Sequence, residues 1–188
     1  MDCGFRIIEI PLDSPGALQS VAYLAAAIGD EAIVGAGTVV RELEVDQLKL
    51  VGCELCVSPH TDVDLIRRAK SAGMITVAGV FTPTESFAAI DAGVDVLKLF
   101  PAELAGPVGV RALRTVLPAG VPIFPVGGIK VSNMDAYLGA GALGCRAVAA
   151  PCPPSFERPW SAERLERHHS RTLTHSYSSI APPTGAVC

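Results

Sequence analysis

Six times along this chain a short run rich in Val and Ile is followed by a longer amphipathic stretch, and this alternation constrains the fold more than any other feature. The apolar runs are Arg6–Pro11, Ala32–Thr38, Glu54–Pro59, Ile75–Val80, Val94–Phe100 and Pro122–Val126. The stretches between and after them are Ala17–Ile28, Glu44–Val51, Val63–Ala72, Thr84–Ala92, Val108–Leu117 and Asn133–Gly139. Strands that do not alternate polar with apolar residues are buried on both faces, so the pattern predicts a parallel sheet covered by helices. Helix punctuation agrees. Thr61 or Asp62 can cap a helix starting near Val63, Thr82-Pro83-Thr84-Glu85 reads as a cap with Pro in the first turn, and Ser132 stands where a cap precedes Asn133. Gly52, Gly73 and Gly93 follow helices, where a left-handed residue is wanted. Tandem βα units of roughly 20–30 residues suit a (β/α)₈ barrel better than a doubly wound sheet. No glycine-rich dinucleotide fingerprint follows the first strand.

The ends break the pattern. The chain opens almost directly on a strand, and after Gly144 its character changes to Pro151-Cys152-Pro153-Pro154, Arg and His clusters, Ser/Thr runs and Pro182-Pro183. The expected organisation is therefore a partial barrel domain over 1–144 and a divergent, irregular tail over 145–188, in which Ser161–His169 is the one plausible helix. A barrel short of a strand exposes unpaired edges, so low solubility or low activity is expected of the chain as it stands.

Composition narrows the functional classes. The chain has 188 residues, 49% hydrophobic and 18% charged, which can bury a sizeable core. A net charge of −4 gives no footprint for nucleic acid or an anionic membrane. No apolar run reaches the roughly 18–20 residues of a membrane span, and Met1-Asp2-Cys3-Gly4-Phe5 does not resemble a signal peptide, so a cytoplasmic location is expected. The six cysteines are scattered. Cys53 and Cys56 form a lone C-x-x-C with no second pair, and buried thiols are expected rather than a redox or metal site.

In a (β/α)₈ barrel reactive groups project from the C-terminal ends of the strands. Those ends are Glu9, Thr38, Ser58-Pro59, Gly79, Lys98 and Gly127-Gly128. Lys98 is flanked by Val96, Leu97, Leu99 and Phe100. Burial would favour its neutral amine, which a Schiff-base nucleophile needs, and the competing reading is a lysine that snorkels to water. Glu9, in Ile7-Ile8-Glu9-Ile10-Pro11, is either an acid/base group or half of a structural ion pair, with Lys98 as its natural partner in both cases. Gly127-Gly128 could offer backbone N–H groups to a phosphate near a helix start, or could be glycines serving a turn.

Together these segments resemble the 2-keto-3-deoxy-6-phosphogluconate and 6-phosphogalactonate aldolase family. The resemblance rests on Ile7-Ile8-Glu9-Ile10-Pro11-Leu12, Val34-Gly35-Ala36-Gly37-Thr38-Val39, Val57-Ser58-Pro59, Lys98-Leu99-Phe100-Pro101-Ala102-Glu103 and Pro125-Val126-Gly127-Gly128-Ile129, in family order across about residues 4–144. It implies a class I aldolase on a (β/α)₈ TIM barrel, usually a homotrimer, with no metal and no organic cofactor. It implies Lys98 as the imine-forming lysine and Glu9 as the acid/base. It implies Thr38 and Pro59 as substrate-lining residues, Thr38 at the pyruvate end, and Gly127 and Gly128 as the phosphate site. The substrate would be a phosphorylated keto-deoxy sugar acid cleaved to pyruvate and D-glyceraldehyde 3-phosphate. Glu9-Ile10-Pro11-Leu12-Asp13-Ser14-Pro15 and Val126 resemble the galactonate type more than the gluconate type. The chain departs from the family in lacking its first βα unit and in diverging at Cys145-Arg146-Ala147, within the last strand. A gluconate-type aldolase, a non-catalytic remnant of the family, and another phosphate-binding barrel enzyme such as an epimerase are the competing expectations.

Overall fold

The structure is a computed structural model that describes residues 6–144. The expected tail 145–188, its helix Ser161–His169 and the divergence at Cys145-Arg146-Ala147 lie outside the described residues. Strands and helices alternate as β1 (Ile7–Pro11), α1 (Ala17–Ile28), β2 (Ile33–Gly37), α2 (Glu42–Leu50), β3 (Leu55–Val57), α3 (Val63–Ser71), β4 (Ile75–Val80), α4 (Pro83–Asp91), β5 (Val96–Leu99), α5 (Ala102–Val116), β6 (Ile123–Pro125) and α6 (Val131–Gly139). The six strands form one parallel sheet in chain order β1-β2-β3-β4-β5-β6. This is an α/β fold in which the described residues make half of a barrel.

Two apolar clusters join helices to one face of the sheet. Val34, Ala36 and Cys56 pack with Val21, Val45, Leu48 and Leu65. Ala78, Val80, Leu97, Leu99 and Ile123 pack with Ala89, Val110, Leu113 and Tyr137. The strand members of both clusters alternate with Glu9, Gly35, Leu55, Val57, Val77, Gly79, Val96, Lys98 and Phe124, which the pairing register aligns on the opposite face. Helices on a single face, with strands in sequential order, separate a barrel from a doubly wound sheet, whose helices cover both faces.

Local chemistry sets the helix starts. Asp62 caps α3 by accepting from Asp64 N and Leu65 N, both at 3.0 Å. Thr82 and Glu85 form a capping box on α4, with Pro83 in its first turn. Glu85 accepts from Phe81 N and Thr82 N, and those backbone donors hold its carboxyl below the usual carboxylate range. Gly52, Gly73 and Gly93 are left-handed after α2, α3 and α4, as their positions predict. Two expectations are corrected. Ser132 is not the cap of α6: the helix begins at Val131, and Asn133 Oδ1 accepts from Lys130 N at 2.8 Å, so Lys130 holds the cap position. Helix α5 begins at Ala102 rather than Val108, with a break at Gly106 (φ 63°, ψ 178°) before Pro107, and that break hid its first turn from the periodic pattern.

Candidate active site

Because all six strands run in one direction, the loops after them gather at a single end of the sheet. Lys98, in the middle of β5, has Gly79 of β4 and Phe124 of β6 as register partners. It is 6% exposed, the only buried lysine or arginine among the described residues. Its Nζ lies 4.9 Å from the ring centroid of Phe100, two residues along the chain.

Glu9 stands on the same face of the sheet, on β1. Its register row runs through Gly35, Leu55 and Ile75, and the β4–β5 pairing continues that row to the level of Val94. A barrel staggers its layers by about one residue per strand. In a closed barrel that stagger would carry the layer of Glu9 through Val57 on β3 to Lys98 on β5. The Glu9 carboxylate lies over Gly37 of β2, so that a Cβ at position 37 would fall within it.

Thr38 directly follows β2 with φ 55°, the one left-handed residue other than glycine among the described residues. A β-branched residue in this region is strained, and such strain clusters at functional sites. The next turn is held by Glu44, which accepts from Val40 N at 2.8 Å and Arg41 N at 3.1 Å. Pro59 lies across the end of β4: its carbonyl and His60 N occupy the space a Cβ at Gly79 would need. Ser58 Oγ donates to His60 O at 2.6 Å and Thr61 Oγ1 to Gly79 O at 2.7 Å, tying this crossing loop to β4.

Gly127 (φ 101°) and Gly128 (φ 66°) are both left-handed. Asn133 Nδ2 donates to Gly128 O at 3.0 Å. The side chain of Glu103, at the start of α5, packs on both glycines where Cβ atoms would stand. These glycines therefore serve the turn and the close approach of Glu103.

Sequence reasoning singled out Lys98, Glu9, Thr38, Pro59, Gly127 and Gly128; Thr38, Pro59 and the glycine pair follow the C-terminal ends of β2, β3 and β6, while Glu9 and Lys98 lie within β1 and β5. It did not single out Gly37 under Glu9, Phe100 over Lys98, Asn133 bridging the glycine turn, or Glu103 beside it. Only Phe100 carried a usable signal: in an extended segment, residues two apart share a face. The C-x-x-C pair, by contrast, lies away from this site. Cys53 and Cys56 are buried free thiols, and Cys56 packs among residues under the helices. Burial pushes the Cys53 thiol up and the Cys56 thiol up to about 12, the opposite of a reactive or metal-binding cysteine.

Comparison with known proteins follows the same lines. Residues 1–151 match the family described as aldolase, KDPG and KHG aldolase. The 2-dehydro-3-deoxy-6-phosphogalactonate aldolase of Escherichia coli (strain K12) is 42% identical over 77% of this chain and 70% of its own length. The probable 2-dehydro-3-deoxy-6-phosphogalactonate aldolase of Rhizobium meliloti (strain 1021) is 43% identical over 75% of this chain and 66% of its own. The chain thus spans about two thirds of the relatives it matches. The 2-dehydro-3-deoxy-phosphogluconate aldolase of Zymomonas mobilis is more distant, at 33% identity over 76% of this chain and 67% of its own. Among solved structures, one described as native KDPGal superposes with a TM-score of 0.77 at 38% identity, covering 88% of this chain and 79% of that one.

Proposed function

The chain belongs to the KDPG and KHG aldolase family, and from that premise we propose that it carries the machinery to cleave 2-dehydro-3-deoxy-6-phosphogalactonate to pyruvate and D-glyceraldehyde 3-phosphate through an imine on Lys98. The observation that carries this reading is the buried lysine within β5, on the face of the sheet away from the helices that also carries Glu9 of β1. The galactonate substrate is favoured over the gluconate epimer because the relatives named for it are the more similar.

In its neutral form Lys98 carries a lone pair on Nζ that attacks the C2 ketone of the substrate. The carbinolamine loses its hydroxyl as water and becomes an iminium. The C3–C4 bonding electrons then move into this cationic sink. Glu9 takes the proton from the C4 hydroxyl, directly or through a water, and the aldehyde leaves. A proton returned to C3 of the enamine gives the pyruvate iminium, and water releases pyruvate and the free amine. Thr38 and Pro59 line the substrate in this reading, Thr38 at the pyruvate end, while Gly127 and Gly128 receive the phosphate through backbone N–H groups. No metal or organic cofactor is called for.

The finer architecture belongs to the same proposal. β1 and β6 are the two outer strands of the described sheet, and further strands between them would close a (β/α)₈ barrel. Assembly as a homotrimer and a cytoplasmic location follow from the family reading. Among the described residues, no helix is long and apolar enough to cross a membrane.

The deciding experiment is borohydride reduction in the presence of pyruvate, followed by peptide mass spectrometry. The expected result is a covalent label at Lys98, absent in Lys98→Ala and Lys98→Arg, since arginine stays protonated and cannot attack. Label at another lysine, or none, would overturn the assignment, and the second outcome would point to a non-catalytic member of the family.

A further inference from the structure

Phe100 is the residue this mechanism leaves unused, and its position relative to Lys98 is specific. Its N–H donates to Val80 O at 3.1 Å, and two residues on Ala102 N donates to Val126 O at 2.8 Å. The backbone that carries the ring is thus pinned to the strands on both sides of β5. The ring is 38% exposed and packs in neither apolar cluster, yet its centroid lies 4.9 Å from Lys98 Nζ. An aromatic face within about 6 Å of a cation attracts it through the ring quadrupole, most strongly where water is scarce.

We propose that the face of Phe100 stabilises positive charge on Lys98 Nζ, both in the resting ammonium and in the iminium, and so sets the pH range over which the imine accumulates. This rests on Lys98 being the imine-forming residue. Conversion of ammonium to iminium leaves one positive charge on the same nitrogen, and the contribution of the ring cancels. Conversion of the neutral amine creates that charge, and the ring favours the product. The contribution should therefore be invisible below the titration of the amine and visible above it. The ionisable side chains at this end of the sheet include Glu9 from β1, Glu44 after β2, His60 and Asp62 after β3, Glu85 after β4, Glu103 after β5 and Lys130 after β6. The register partners of Lys98, Gly79 and Phe124, carry none.

The test replaces Phe100 site-specifically, in the full 188-residue chain, with phenylalanines carrying one, two or three ring fluorines. These keep nearly the same shape while draining the quadrupole. The pyruvate imine at subsaturating pyruvate is trapped with borohydride at a series of pH values, with Tm measured alongside. Removing the attraction for the ammonium lowers the amine pKa, so the alkaline limb of the profile should move to lower pH with each fluorine. Above that limb the trapped fraction should fall, by about 3–10-fold across the series. Phe100→Tyr, which keeps an aromatic face, should retain the native profile, and Phe100→Leu should resemble the trifluoro variant. Normal labelling at Lys98 with a profile indifferent to fluorination would overturn the role of Phe100 alone. An equal loss at every pH would overturn it too, as the mark of a steric effect. Absence of label at Lys98 in the unsubstituted chain would sink both this inference and the Schiff-base reading.

Discussion

The carboxylate of Glu9 lies over Gly37 on the adjacent strand, in the volume that any side chain at position 37 would occupy. Glycine there is a spatial requirement set by a neighbouring strand. Gly37 is not among the left-handed glycines, so alanine would be tolerated by its backbone and excluded by Glu9.

Gly37→Ala is therefore expected to push Glu9 out of place while leaving Lys98 untouched. The borohydride-trapped pyruvate imine should persist, and deuterium exchange at the pyruvate methyl, read by NMR, should slow by on the order of 10²-fold, the low end of what a lost acid/base group costs. Exchange at the native rate would show that Glu9 can move without consequence.

Glu9→Gln removes the proton acceptor without altering shape. We expect the imine to form and methyl exchange to drop by about 10²–10⁴-fold. If exchange is unchanged, Glu9 is a structural partner and the proton acceptor lies elsewhere.

Gly79→Ala tests the loop carrying Pro59. A Cβ there meets the Pro59 carbonyl and His60 N, backbone atoms that cannot rotate away. Overpacking of this kind costs about 1–3 kcal/mol, read as a fall in Tm. Displacing the loop also breaks the Thr61 Oγ1 bond to Gly79 O, so KM for substrate should rise. A variant with native Tm and native KM would mean that the loop accommodates the methyl and does not line the substrate.

The Cys56 thiol, pushed up to about 12 mainly by burial, makes a prediction with a definite sign. The unfolded thiol ionises near the ordinary value of 9.0, whereas the folded one stays protonated. Folding is undisturbed below pH 9 and loses stability between about pH 9 and 12, as the unfolded state sheds a proton the native state keeps. Cys56→Ala should flatten that alkaline decline in chemical denaturation curves, at the cost of a small core cavity. Iodoacetamide at pH 8 should label neither Cys53 nor Cys56 until the chain is unfolded; rapid modification of the native protein would contradict their burial.

What the sequence determined by itself was whatever depends on neighbours along the chain. Val- and Ile-rich runs without alternation required buried parallel strands, and the limits expected for Ala17–Ile28 and Ile75–Val80 are those observed. A cap at Thr61 or Asp62, a cap at Thr82 with Pro83 behind it and the glycines closing three helices follow from hydrogen-bonding and φ preferences within a few residues; the structure chose Asp62. Lys98 and Glu9 stood out because an ionisable group inside an apolar strand is costly unless it has work to do. Contacts between strands were a different matter. That Gly37 makes room for Glu9, that Gly79 makes room for the Pro59 carbonyl, and that Glu103 covers Gly127 and Gly128 all depend on pairs far apart in sequence. Even the left-handed Thr38 runs against its own residue type, since a β-branched side chain is among the last expected there. Register, set by how six strands and their helices pack at once, decided those positions, because a shift of one residue would turn each of these side chains to the opposite face of the sheet.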